Sequence, residues 1–91
     1  MTTNNEIKER IAELRANGNH KIADKIEKIC AEMNHLYDNF KRECEDISDM
    51  CVEEGYPSYG SNYELRCSYL YENYYRSEMS DLSDELENLM M

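Results

Sequence analysis

Tryptophan is absent from this chain of 91 residues, and proline and phenylalanine each occur once. Glycine occurs three times, Val52 is the only valine, and Thr2 and Thr3 are the only threonines. Strands draw on valine, threonine and aromatic alternation, and a sandwich or barrel needs many glycine- and proline-rich turns. Those architectures are excluded and an all-α chain is expected. No run approaches the ~18 consecutive apolar residues that cross a bilayer, so no membrane partner is expected. The segment Met1-Thr2-Thr3-Asn4-Asn5-Glu6 carries neither a basic start nor an apolar run. A cytoplasmic protein is therefore expected, with Cys30, Cys44, Cys51 and Cys67 as reduced thiols.

Catalytic signatures are missing as well. The chain has no G-x-S-x-G elbow, no phosphate loop and no H-E-x-x-H pair, and its two histidines, His20 and His35, have no orienting partner nearby in sequence. The expectation is a binding protein and not an enzyme, with no cofactor. Cys44 and Cys51 fall on one helical face, and Cys67 is placed to approach them across a turn. No two cysteines have close C-x-x-C spacing, however, and the histidines lie away from them. Buried reduced cysteines are preferred over a metal site, and a Cys51–Cys67 disulfide stays open as the oxidised alternative.

What the chain has in quantity is negative charge. Its twenty acidic and ten basic side chains give a formal net charge of −10. Residues 1–36 hold six of each, so the whole excess belongs to residues 37–91. Such a field repels a phosphate backbone, which argues against direct nucleic-acid binding.

Apolar periodicity places three helices, at about 4–17, 20–54 and 62–90, in a single domain spanning 1–91. Thr3 with Glu6 has capping-box spacing, and Ile7, Ile11 and Leu14 follow at helical intervals. Asn17-Gly18 supplies a left-handed stop and Asn19 a cap for the next helix. In that helix Ile26, Met33, Phe40 and Ile47 share one register. Ile22, Ile29, Leu36 and Met50 share a second, and Cys30, Tyr37, Cys44 and Cys51 a third. The resulting face is wider than a coiled-coil seam, with Glu43 as its one polar intrusion. Gly55-Tyr56-Pro57-Ser58-Tyr59-Gly60 breaks the pattern, predicting a turn at 55–61. Ser61 with Glu64 repeats the capping-box spacing, and Tyr63, Cys67, Leu70 and Tyr74 open the last helix. Its stripe then drifts to Tyr71, Tyr75, Met79, Leu82, Leu86 and Leu89, and the serines at 77, 80 and 83 favour a kink near Met79. The expected architecture is a short helix followed by a long antiparallel helical hairpin. Its apolar faces are too wide for one short helix to cover, so a bundle-like homo-oligomer is expected.

Two features point towards function. Seven of the eight tyrosines fall between Tyr56 and Tyr75. On amphipathic grounds Tyr63, Tyr71, Tyr74 and Tyr75 belong to a core or dimer interface. Tyr56, Tyr59 and Tyr69 lie in the turn or off the stripe, where tyrosine makes a rigid contact with a polar tip. The second feature is a set of carboxylate rows. Asp38, Glu45, Asp49 and Glu53 recur at intervals of seven and four and project to one side; Glu78, Asp81 and Glu85 do the same on the last helix at intervals of three and four, with Glu72 preceding them. Carboxylates four apart on a helix stand ~6 Å from one another, comparable with phosphates along a strand. The plain alternative is a solvated face that keeps the protein soluble.

A short acidic helical chain with interleaved tyrosines and a charge-balanced amino-terminal helix resembles the small phage-encoded inhibitors, anti-CRISPR and anti-restriction proteins among them, some of which mimic DNA. The likeness covers mainly Tyr37 to Met91. It implies a viral protein that inhibits by occupying the basic nucleic-acid-binding surface of a host protein in the host cytoplasm. Asp38, Glu45, Asp49, Glu53, Tyr56, Tyr59, Tyr69, Glu72, Glu78, Asp81 and Glu85 are the candidate contact residues. Two alternatives stay open. One is an oligomeric module holding a nucleotide-like ligand between tyrosines, with Arg66, Arg76 or Lys21 meeting its phosphate. The other is a helical adaptor.

Overall fold

A computed structural model describes residues 4–91. The expected cap at Thr3 lies outside the described residues. The described chain is helical and contains no strand: α1 (Asn4–Ala16), α2 (His20–Glu53), α3 (Ser61–Leu70), a π-helical turn (Tyr71–Tyr75) and α4 (Arg76–Met90). The contacts divide it into two compact units. One joins the chain up to Asn34 with Ser80–Met91, and the other is His35–Met79, so α2 and α4 contribute to both.

Glycine in the left-handed region ends both α1 and α2. Gly18 has φ +82°; its N–H donates to Arg15 O at 3.1 Å and that of Asn19 to Leu14 O at 2.7 Å. Gly55 has φ +88°; its N–H donates to Val52 O at 3.1 Å and that of Tyr56 to Cys51 O at 2.8 Å. Both are Schellman motifs, in which glycine adopts at no steric cost the conformation that satisfies the last carbonyls. The helix after the turn starts one residue before the expected position. Gly60 is its cap residue and makes no side-chain cap bond, its carbonyl accepting from Glu64 N–H at 3.1 Å, so the Ser61 and Glu64 capping box is not what starts it.

In the first unit, the apolar intervals of three helices converge. Leu14 of α1, Ala23, Ile26 and Ile29 of α2 and Leu86 of α4 are buried, and Ile7, Ile11, Cys30, Met33, Leu82 and Leu89 pack around them. Ile26 is fully buried. Arg15 of α1 reaches Asp24 at 3.0 Å and Glu27 at 2.8 Å on α2, an exposed bridge of small energetic weight beside the burial of these side chains.

In the second unit, the buried stripe of α2 consists of small residues. Cys44, Ser48 and Cys51 are all buried, and an edge-on aromatic cluster continues the stripe. Phe40 lies 5.4 Å from both the Tyr71 and the Tyr75 ring, at interplanar angles of 70° and 69°. Arg66 of α3 is paired with Glu54. The turn is tight on its inner side: a Cβ added at Gly60 would come within 3.2 Å of the Pro57 ring.

The irregularity in the last helix is placed differently from the expected kink at Met79, through which α4 runs without a break. It lies at Tyr71–Tyr75, where Arg76 N–H donates to Tyr71 O, five residues back. An extra residue in one helical turn rotates everything after it by about 100°. That rotation is the physical content of the stripe drifting from the Cys67 and Leu70 register to the Tyr75 and Met79 register.

Candidate protein-interaction site

Opposite the stripe of half-buried Phe40 and buried Cys44, Ser48 and Cys51, the second-unit half of α2 turns Asp38, Glu45, Asp49 and Glu53 outward, and all four are exposed. Asp46 lies on the same side and is exposed too. Among the described residues, the ion pairs involve Glu13, Asp24, Glu27, Glu54 and Glu72, and none of these five outward acids takes part in one. Each is directed at solvent. Arg42 stands within the row, its guanidinium donating to Asn39 Oδ1 at 3.1 Å.

The aromatic residues divide unevenly. Tyr56, Tyr59 and Tyr69 are exposed, the last two by 69% and 66%. Tyr59 also packs edge-on against Tyr63 at 5.1 Å. Of the four tyrosines expected in a core or interface, Tyr75 is buried and Tyr63 and Tyr71 are half-buried. Tyr74 differs, with 68% exposure, because the π-helical turn carries it off the packed face. Leu65 precedes Tyr69 by four residues on α3 and is likewise exposed, as are Tyr37, Met50 and Val52 on α2. Tyr37 and Met50 thus leave the apolar stripe to which their register assigns them.

Of the two thiols that Cys67 is expected to approach across the turn, the structure brings Cys44 against it. Cys44 and Tyr63 are both hydrogen-bonded to Cys67, and all four cysteines are free. Burial, followed by the Cys67 bond, pushes the Cys44 thiol up to about 12, and the Cys67 bond, followed by burial, pushes Tyr63 up to about 12. Both groups are therefore held protonated. Among the described residues no three histidine, cysteine, aspartate or glutamate side chains gather as metal ligands would. No described helix is long and apolar enough to cross a membrane.

No protein-family model, curated protein or solved structure matches the chain.

Nine of the eleven candidate residues belong to the His35–Met79 unit, while Asp81 and Glu85 belong to the other. All eleven are exposed. Glu72 differs electrostatically, because Arg76, one helical turn later, is bound to it and neutralises it. Glu78 instead joins a feature that periodicity alone does not reveal. It lines an open groove of about 420 Å³ with Leu36, Asn39, Glu43, Leu70, Tyr74 and Tyr75. The signal in the sequence was Glu43, the polar residue interrupting an apolar stripe. Burial, followed by the interaction with the Glu43 carboxylate, raises the Tyr75 pKa.

Proposed function

We propose that the protein is a non-enzymatic inhibitor that binds the basic, nucleic-acid-binding surface of a partner protein in the cytoplasm of a host cell, the mode of action of a phage counter-defence protein. The observation that carries this reading is the outward row Asp38, Glu45, Asp49 and Glu53, exposed and outside every ion pair described. A functionless solvated face gains from alternating signs, and like charges at four-residue spacing destabilise a helix. Retaining Glu45, Asp49 and Glu53 in series fits a surface meant for arginine and lysine. Tyr56, Tyr59 and Tyr69 supply aromatic contact area beside the charge, and Glu78, Asp81 and Glu85 extend the acidic inventory.

The finer architecture belongs to the same proposal. Phe40 meets Tyr71 while Cys44 meets Cys67, so residue numbers rise along α2 as they fall along α3 and the π-helical turn, which supports the register of an antiparallel helical hairpin. Leu65, Val52 and Met50, exposed in this same unit, favour self-association into a homo-oligomeric bundle. Light scattering is expected to show a dimer or larger species at micromolar concentration, and a stable monomer would refute the oligomer.

The nucleotide-binding alternative is less well supported. Arg66 and Arg76 are already paired with Glu54 and Glu72, and the tyrosine-lined groove carries two carboxylates and no base. Affinity capture from host lysate tests the leading reading. Wild-type protein is expected to retain a nucleic-acid-binding protein and release it in high salt, and stoichiometric addition should displace that partner's DNA or RNA. Equal capture by the D38N/E45Q/D49N/E53Q variant would remove the acidic row from the mechanism.

A further inference from the structure

The groove between the second-unit half of α2 and the π-helical turn differs in its lining chemistry from two cavities of the first unit. The cavity bounded by Lys25 and Lys28 mixes both signs of charge, and the one beside Cys30 and Met33 contains a single carboxylate. Here two carboxylates, Glu43 and Glu78, face a space that also shows the Tyr74 ring and the apolar side chains of Leu36 and Leu70, and no lysine or arginine lines it. Its volume of about 420 Å³ lies at the small end of the ~300–1,000 Å³ usual for ligand sites, so it suits a side chain and not a folded surface.

We propose that this groove is the seat for one arginine side chain of the basic partner. Three features of the lining match the three parts of that side chain. Leu36 and Leu70 offer apolar surface to the methylene stem. Tyr74, 68% exposed, presents a ring on which a planar guanidinium stacks. Glu43 and Glu78 are acceptors for its N–H fork, and both line the groove beside Tyr75. The π-helical turn is what makes the site, since it keeps Tyr75 buried against Phe40 while its neighbour Tyr74 turns to solvent. Insertions of this kind recur at functional sites. Arg42 stands beside the groove without lining it, tied to Asn39, and repels the incoming charge.

The inference rests on the acidic-face reading, and the test separates the two. A short capped arginine-rich peptide is titrated into the isotope-labelled full chain at low salt, and backbone amide shifts are mapped. The largest shifts are expected at Asn39, Leu70, Tyr74, Tyr75 and Glu78. The E43Q/E78Q variant should bind about tenfold more weakly, the loss expected for two charge-assisted hydrogen bonds at a partly exposed site. Tyr74→Ala should weaken binding, Arg42→Ala should tighten it, and a lysine-rich peptide of equal length should bind more weakly. Circular dichroism confirms that each variant keeps its helices. Shifts confined to the Asp49 and Glu53 side of α2 and unchanged in E43Q/E78Q would overturn the groove while leaving the acidic face standing. Absence of binding would overturn both, and equal affinity for the lysine peptide would overturn the choice of arginine.

Discussion

At Cys44 a single position sets both packing and titration. Its small side chain lets α2 approach the chain that packs on it in the second unit, and burial together with the Cys67 bond lifts its thiol from 9.0 to about 12. Tyr63, sharing Cys67, is lifted from 10.0 to about 12. Both groups lose their protons in the unfolded chain before they do in the folded one, so their contribution to stability is complete below pH 9 and is lost as pH rises towards 12. The melting temperature is expected to fall across that window, with a shallower fall in Cys44→Ala; a flat profile would contradict the burial of these groups. The pairing also changes the oxidised form expected. A peroxide should join Cys44 to Cys67, taking the two thiol hydrogens and two electrons as it is reduced to water, and peptide mapping is expected to show that link in place of Cys51–Cys67.

Helix by helix, most of the boundaries were legible, because glycine and apolar spacing act locally. Asn17-Gly18 and Gly55 end α1 and α2 through their left-handed geometry. At Gly18 nothing stands within 4 Å of an added Cβ, so Gly18→Ala has no clash to relieve and only the strained backbone to bear. The cost should be about 1–2 kcal/mol, read as a lower denaturant midpoint. What local signals misplaced was the break in the last helix. The serines at 77 and 80 are exposed and the α4 backbone is undisturbed there, whereas the interruption at Tyr71–Tyr75 coincides with the packing of Tyr71 and Tyr75 on Phe40. A one-residue shift in the apolar stripe was already present in the sequence, and it marks an inserted residue more directly than serine content does. The exposure of Tyr74 and the opening of the groove follow from that insertion, which is why neither was legible from periodicity.

Across the whole molecule the negative charge is distributed over both units. The His35–Met79 unit alone holds ten acids against four bases. The acidic row itself could be read from spacing, because a helix exposes whatever lies opposite its apolar face; the pairing of Glu72 with Arg76 was open to the same reading, since Arg76 is the one base three or four residues away from it. Like-charge repulsion along α2 means that D38N/E45Q/D49N/E53Q should melt at a higher temperature than wild type at low salt, by the equivalent of about 0.2–0.5 kcal/mol for each four-residue pair relieved. A variant that is more stable yet inactive would mark the row as retained for binding. The decisive measurement is the dissociation constant for the captured partner as salt is raised tenfold, with wild-type and neutralised protein side by side. Wild-type affinity should fall steeply while that of the variant starts weaker and barely changes; salt-insensitive wild-type binding would mean that recognition does not run through the exposed carboxylates.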